Sequence, residues 1–191
     1  MTAARSGRYS VTGRRILFFV ASVVAFWPVN GLPVAGYLRG VTGDVSVTTL
    51  ILLAAASISG LFDIEIYHPR SFFVLMLFVL GSGVFLYPSA LGLTYFDAYA
   101  LGYGSKTLVA VLFLVSLVAW YYECYLVVVC VSLAVLAYLI DMYESRNLWD
   151  YMIDPLITFC AAIWLVMKEI KHVFHVSSSG TRYSLTRKGV G

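Results

Sequence analysis

Thr107–Ile140 reads TLVAVLFLVSLVAWYYECYLVVVCVSLAVLAYLI, 34 residues with a single charge, Glu123. As one α-helix it would be about 51 Å long at 1.5 Å per residue. A bilayer's hydrocarbon core is about 30 Å thick, so a single crossing of that length would need extreme tilt. Two shorter legs fit better. The turn between them belongs at Trp120-Tyr121-Tyr122-Glu123-Cys124-Tyr125, because amphipathic rings settle at membrane–water boundaries. No Gly or Pro marks this turn. The reading is a helical hairpin, 106–122 and 124–140.

The same alternation of apolar run and short polar cluster fills the rest of the chain. The 191 residues are 61% hydrophobic and 12% charged, against about 25% charged in an ordinary soluble domain. So few charges cannot cover a water-facing surface. The expectation is an all-α, polytopic transmembrane bundle of six helices forming one domain, residues 16–170. It lies in a cell membrane (the inner membrane if the source is bacterial), with the lipid bilayer as its main partner.

Four further spans complete the set. Residues 16–38 are charge-free but contain Pro28, Asn30, Gly31 and Pro33, so a break or kink is expected near Trp27–Pro33. Arg14 and Arg15 before this run also suit a signal peptide, but no small-residue cleavage site follows, and a retained helix is expected. Residues 45–62 carry Ala56 and Gly60, four apart on one face, a spacing that permits close helix–helix contact. Residues 71–88 end at Pro88. Residues 149–168 form the last span, beginning near Asn147 with Pro155 as a kink; Asp154-Pro155 is the rival start, with Asp as N-cap and Pro at the first helical position.

Charge orients the bundle. With the N-terminus inside, the inner segments hold ten basic and four acidic residues, and the outer segments three basic and six acidic. Both basic tails, 1–15 and 171–191, are therefore expected in the cytoplasm, N-in and C-in, and without fixed structure. Their Arg and Lys residues read as positive-inside flanks, and no nucleic-acid partner is expected.

Few groups can carry chemistry. Asp63, Glu65, His68 and Arg70 fall within eight residues of a short inner loop. They are the catalytic candidates for a lipid-headgroup enzyme, with Arg70 on a phosphate and His68 or a carboxylate as base; a solvated turn would hold the same residue types. Asp141, Glu144, Asp150 and Asp154, with Arg146, form an outer acidic group suited to collecting cations or receiving a basic partner, or to capping helices. Gly102-Tyr103-Gly104 shares three letters with potassium filters, but the preceding Thr-Val is missing and Lys106 follows, so it reads as a glycine-rich turn. His172 and His175 are a weak metal pair, and Cys124, Cys130 and Cys160 lie in apolar runs as small core residues. The serines within the spans have no His or Lys at their depth to activate them. No cofactor or metal site is expected.

Three functions follow in order. The first is a non-enzymatic accessory, assembly or scaffold component, acting by helix association with a membrane-protein partner or with itself. The second is a small transporter or channel with an outer acidic mouth. The third is a lipid-headgroup-modifying membrane enzyme.

Overall fold

A computed structural model of the chain describes residues 11–104 and 106–188. Eight α-helices and one two-stranded hairpin make up its elements. Helix α1 is Val11–Phe26, the strands are β1 Pro28–Val29 and β2 Leu32–Pro33, and α2 is Val34–Thr42. They are followed by α3 Val47–Phe62, α4 Pro69–Ala90, a 3-10 turn Tyr99–Gly102, α5 Lys106–Tyr121, α6 Tyr125–Leu139, α7 Leu148–Met152 and α8 Pro155–Lys188. The fold is all-α, and α3, α4, α5 and α6 lie where the apolar runs predict helices.

Each boundary has a local cause. Ser46 caps α3 by accepting from the Thr49 N–H, and His68 caps α4 ahead of Pro69. Three helices end on an acid in the left-handed region: Asp63 (φ 58), Glu123 (φ 59) and Asp141 (φ 49). At Glu123 and Asp141 the next N–H reaches back five residues, Cys124 to the Ala119 carbonyl and Met142 to that of Ala137, which closes the orphan carbonyls of the last turn. The α5–α6 turn thus falls where the aromatic belt places it, with Glu123 in the role glycine usually fills.

Helix α4 is central. Leu75 and Val79 on it, Val127 and Ala134 on α6, and Ala161 on α8 are fully buried or nearly so. Close approach of α4 and α8 needs Gly83, because a Cβ there would run into the Thr158 methyl. The outward faces are apolar as well: Phe113 is 62% exposed, Leu136 53% and Phe159 67%. Among the described residues, α4, with 22 residues, is the one helix both long and apolar enough to cross a membrane unaided. Helices α3, α5 and α6 are equally apolar but have 16, 16 and 15 residues.

The turns gather at two ends. Ser46, Ala98 and the Tyr143–Asp154 segment meet at one end through Ser46 N–H to Asp154 and Trp149 Nε1–H to the Ala98 carbonyl. At the other, the Leu126 N–H donates to Ser71 Oγ, and Arg15 donates to the Leu61 carbonyl.

Two spans are divided, the first within the Trp27–Pro33 stretch where a break is expected. Residues 16–38 are not one helix: α1 stops at Phe26, where Pro28 has no N–H to give. Asn30 (φ 49) and Gly31 (φ 86) then form a two-residue reverse turn, pairing Val29 with Leu32 before α2 begins. Asn-Gly between short extended segments is the strongest local signal for such a hairpin. Residues 149–168 are also divided. Asn147 caps the separate five-residue α7, and Asp154-Pro155 starts α8, so both rival caps are used. Helix α1 starts inside the segment read as an N-terminal tail, and α8 runs on to Lys188 through the segment read as an unstructured one. The side chains of His172 and His175 lie outside the described residues.

Candidate functional site: an aspartate- and tyrosine-lined recess

The segment Tyr143–Asp154 builds one end of the molecule by turning its polar side chains inward. Asn147 is fully buried; its Oδ1 accepts the Trp149 N–H at 3.0 Å and its Nδ2 donates to the Tyr99 carbonyl at 3.0 Å. Gly102 lets the 3-10 turn lie against it: a Cβ at Gly102 would overlap Asn147 Oδ1 and stand 2.8 Å from Trp149 Cδ1. The buried Tyr151 hydroxyl accepts the Tyr143 N–H at 3.0 Å and faces the carbonyls of Tyr143 and Ser145 at 3.1 and 3.0 Å. The Tyr143 ring stacks on that of Tyr151 at 4.8 Å, and its hydroxyl donates to the Val45 carbonyl at 2.8 Å. Backbone groups that would be orphaned in a loop are thereby satisfied within the protein.

Asp154 is the keystone of this end. It is 6% exposed. Its Oδ2 accepts from the Ser46 N–H at 2.8 Å and from the Thr49 hydroxyl at 2.5 Å, while Oδ1 accepts the Ile157 N–H at 2.8 Å. One carboxylate thus caps α8 and holds the N-cap residue of α3, close to the positive ends of both dipoles. Burial opposes its charge, but the hydrogen bonds from Thr49, Ile157 and Ser46 outweigh burial and hold its pKa below the usual carboxylate value.

Asp150 stands across the recess. Tyr99 lies 3.1 and 3.0 Å from its two carboxylate oxygens, and Ser145 donates to it at 2.5 Å. Burial, then the adjacent charge of Asp150, pushes the Tyr99 phenol well above its ordinary pKa, so it remains a donor. Tyr143 is raised by burial and by Asp44. Asp44 pairs with Arg39 at 2.5 Å, and that hydrogen bond raises the guanidinium's pKa further.

Together Asp44, Asp150 and Asp154, with Tyr87, Tyr99, Tyr143 and Ser145, line a recess of about 310 Å³. Three carboxylates face it against one guanidinium, Arg39, on its margin. Phenol rings and carboxylates suit an ammonium or guanidinium group, through charge and through the ring faces. Among the described residues no three His, Cys, Asp or Glu converge as metal ligands, and no His, Lys or Cys lines this recess.

The structure therefore divides the sequence candidates. Asp150 and Asp154 come together. Asp141 and Glu144 stay exposed outside, Asp141 serving the end of α6. The inner candidates do not form one catalytic group. Asp63 ends α3, Glu65 is exposed, His68 Nδ1 accepts the Arg70 N–H at 3.2 Å, and the Arg70 side chain lies along an apolar groove. Sequence reading missed Asp44, Tyr87, Tyr99, Tyr143 and Ser145 as site residues. One signal was available: Asn147 followed three residues later by Asp150 is a helix-start pattern, marking an ordered segment rather than a solvated loop.

No family model matches the chain, and no curated protein or solved structure matches it.

Proposed function

We propose that the chain is a polytopic membrane protein with six crossings, α1, α3, α4, α5, α6 and the first half of α8. Its tails lie on the cytoplasmic side, and it acts without catalysis as an accessory or assembly component. Its outer end receives a cationic group, a lysine or arginine side chain or an amine, from a membrane-associated partner. The membrane reading is supported by apolar outward faces on consecutive helices, by turns alternating between two ends, and by the inner excess of basic residues. Helices of 15–16 residues span about 24 Å, and the aromatic residues at their ends extend that reach into the interface. Helices α2 and α7 then lie at the outer interface.

The observation that carries the binding role is the recess itself: three acidic residues on its wall, one of them, Asp44, paired with Arg39, in walls already fixed by internal hydrogen bonds. Such a site loses little ordering entropy on binding. A conducting role is less well supported. Between the two ends the core is Leu75, Val79, Val127, Val131 and Ala134, which offers a permeating ion no coordinating oxygen.

The test is affinity purification in mild detergent of the wild type and of Asp44→Asn, which reduces the recess charge without removing a helix cap. A defined partner should be recovered with the wild type and be depleted about tenfold with the variant, the loss of one charge-assisted contact. Recovery of a lone monomer, or equal partner recovery with both proteins, would reject the binding role.

A further inference from the structure

Three apolar grooves run along the outside of the α4–α5–α6 unit, with volumes of about 570, 410 and 470 Å³. All lie within the roughly 300–1,000 Å³ range of ligand pockets. Only the largest of the three has a charge on its wall. It begins at Arg70 and Tyr122 and continues between Val74 and Phe78 of α4 and Val115 and Val118 of α5. Arg70, Val74 and Phe78 recur every four residues, one stripe of a single helix, so the apolar slot extends about 12 Å away from the guanidinium.

Arg70 is exposed, and its guanidinium makes no hydrogen bond or ion pair among the described residues. Two other basic groups at this end are engaged, Arg15 donating to the Leu61 carbonyl and Lys168 sitting over the Phe73 ring at 3.4 Å, and the exposed Lys171 does not line the groove. Glu123, next to Tyr122 in sequence, lines a separate recess with His68 and not this groove. Arg70 is also the second residue of the 22-residue α4, so the positive end of that helix dipole adds to its charge. An apolar slot closed at one end by an unneutralised planar cation is complementary to an anionic amphiphile.

We propose that the α4–α5 groove holds one anionic glycerophospholipid of the inner leaflet, an acyl chain along Val74, Phe78, Val115 and Val118 and its phosphate on the Arg70 guanidinium. This rests on the membrane reading above but not on the acidic recess at the other end. A guanidinium pairs with phosphate in a bidentate fork, and because phosphatidylcholine adds an ammonium that repels the guanidinium, the site prefers a headgroup of net negative charge as well as a chain.

The full chain is reconstituted into nanodiscs of phosphatidylcholine with a minor fraction of phosphatidylglycerol. It is then transferred to detergent, and retained lipid is counted by native mass spectrometry. The wild type should retain phosphatidylglycerol in preference to phosphatidylcholine. Arg70→Gln should lower that preference about tenfold. Val118→Trp should lower retention of both lipids. Lys171→Gln, at the same end but not on the groove wall, should leave both unchanged. Equal retention of the two lipids by the wild type, an unchanged preference in Arg70→Gln, or an equal loss in Lys171→Gln would overturn the assignment. So would a dimer abolished by Val118→Trp with lipid retention intact, since a helix would then fill the groove. Should Val118→Trp misfold, the wild-type preference and Arg70→Gln still decide. Failure of the membrane reading is seen separately, as chain released from membranes by alkaline carbonate before any lipid is measured.

Discussion

Replacing Asp154 by alanine removes the carboxylate that joins two helix N-termini. Three protein donors are then left facing an apolar methyl: the Ser46 N–H, the Ile157 N–H and the Thr49 hydroxyl. A hydrogen bond to a charged group contributes about 1.5–3 kcal/mol, but three on one group are not additive, and the Thr49 hydroxyl can turn to Ser46 Oγ, 3.1 Å away. A loss of about 4 kcal/mol is expected, since each buried donor left unsatisfied costs about 1–3 kcal/mol. At about 2–4 °C per kcal/mol for a chain of this size, the melting temperature falls by about 8–16 °C. The assay is thermal unfolding in detergent followed by circular dichroism, with Asp154→Asn retaining part of the cap and falling between. The pH dependence has a fixed sign. Because the folded-state pKa is depressed, the stabilisation is complete above the unfolded carboxylate's 3.8 and is lost as pH falls below it toward the folded value. The alanine variant should lack this acid-side loss. A change smaller than about 1 kcal/mol, typical of an exposed cap, would refute the two-helix role.

Three other outcomes follow from the geometry. Gly102→Ala must displace Asn147 and Trp149; overpacking of this kind costs about 1–3 kcal/mol, and loss of the buried Trp149 environment should appear as a red-shifted tryptophan emission. Glu123→Gly relieves a left-handed residue at the end of α5 and should raise stability by about 1 kcal/mol in urea or thermal unfolding; a loss would show that the Glu123 side chain contributes more than the strain it carries. Single cysteines placed in the two tails of a cysteine-free chain should both be labelled from the cytoplasmic side by an impermeant maleimide, and labelling from opposite sides would exclude an even number of crossings.

The helices were legible because their causes are local. Apolar runs bounded by polar clusters define α3 to α6, and the aromatic belt locates the α5–α6 turn without help from the rest of the chain. Where two local signals competed, sequence was less decisive. Asn147 and Asp154 each read as the start of one helix, and the structure uses both, because a five-residue α7 fits between them only when Trp149 and Tyr151 have a core to enter. Pro28 to Pro33 foretold a break but not a hairpin, although Asn30-Gly31 carried that information.

What the sequence determined by itself was an all-α chain with basic tails and acidic turns, since hydrophobic run length and charge placement need no partner to be read. The recess was decided by tertiary structure alone. Ser46 and Asp154 are 108 residues apart, and Tyr99 and Asp150 are 51 apart. Local patterns mark Asp150 and Asp154 as helix-start residues, but none shows that they share a recess while the neighbouring Asp141 and Glu144 do not. The difference is made only when the helices pack and their N-termini and turns converge, so that two acids gain donors from distant segments while the other two remain in solvent.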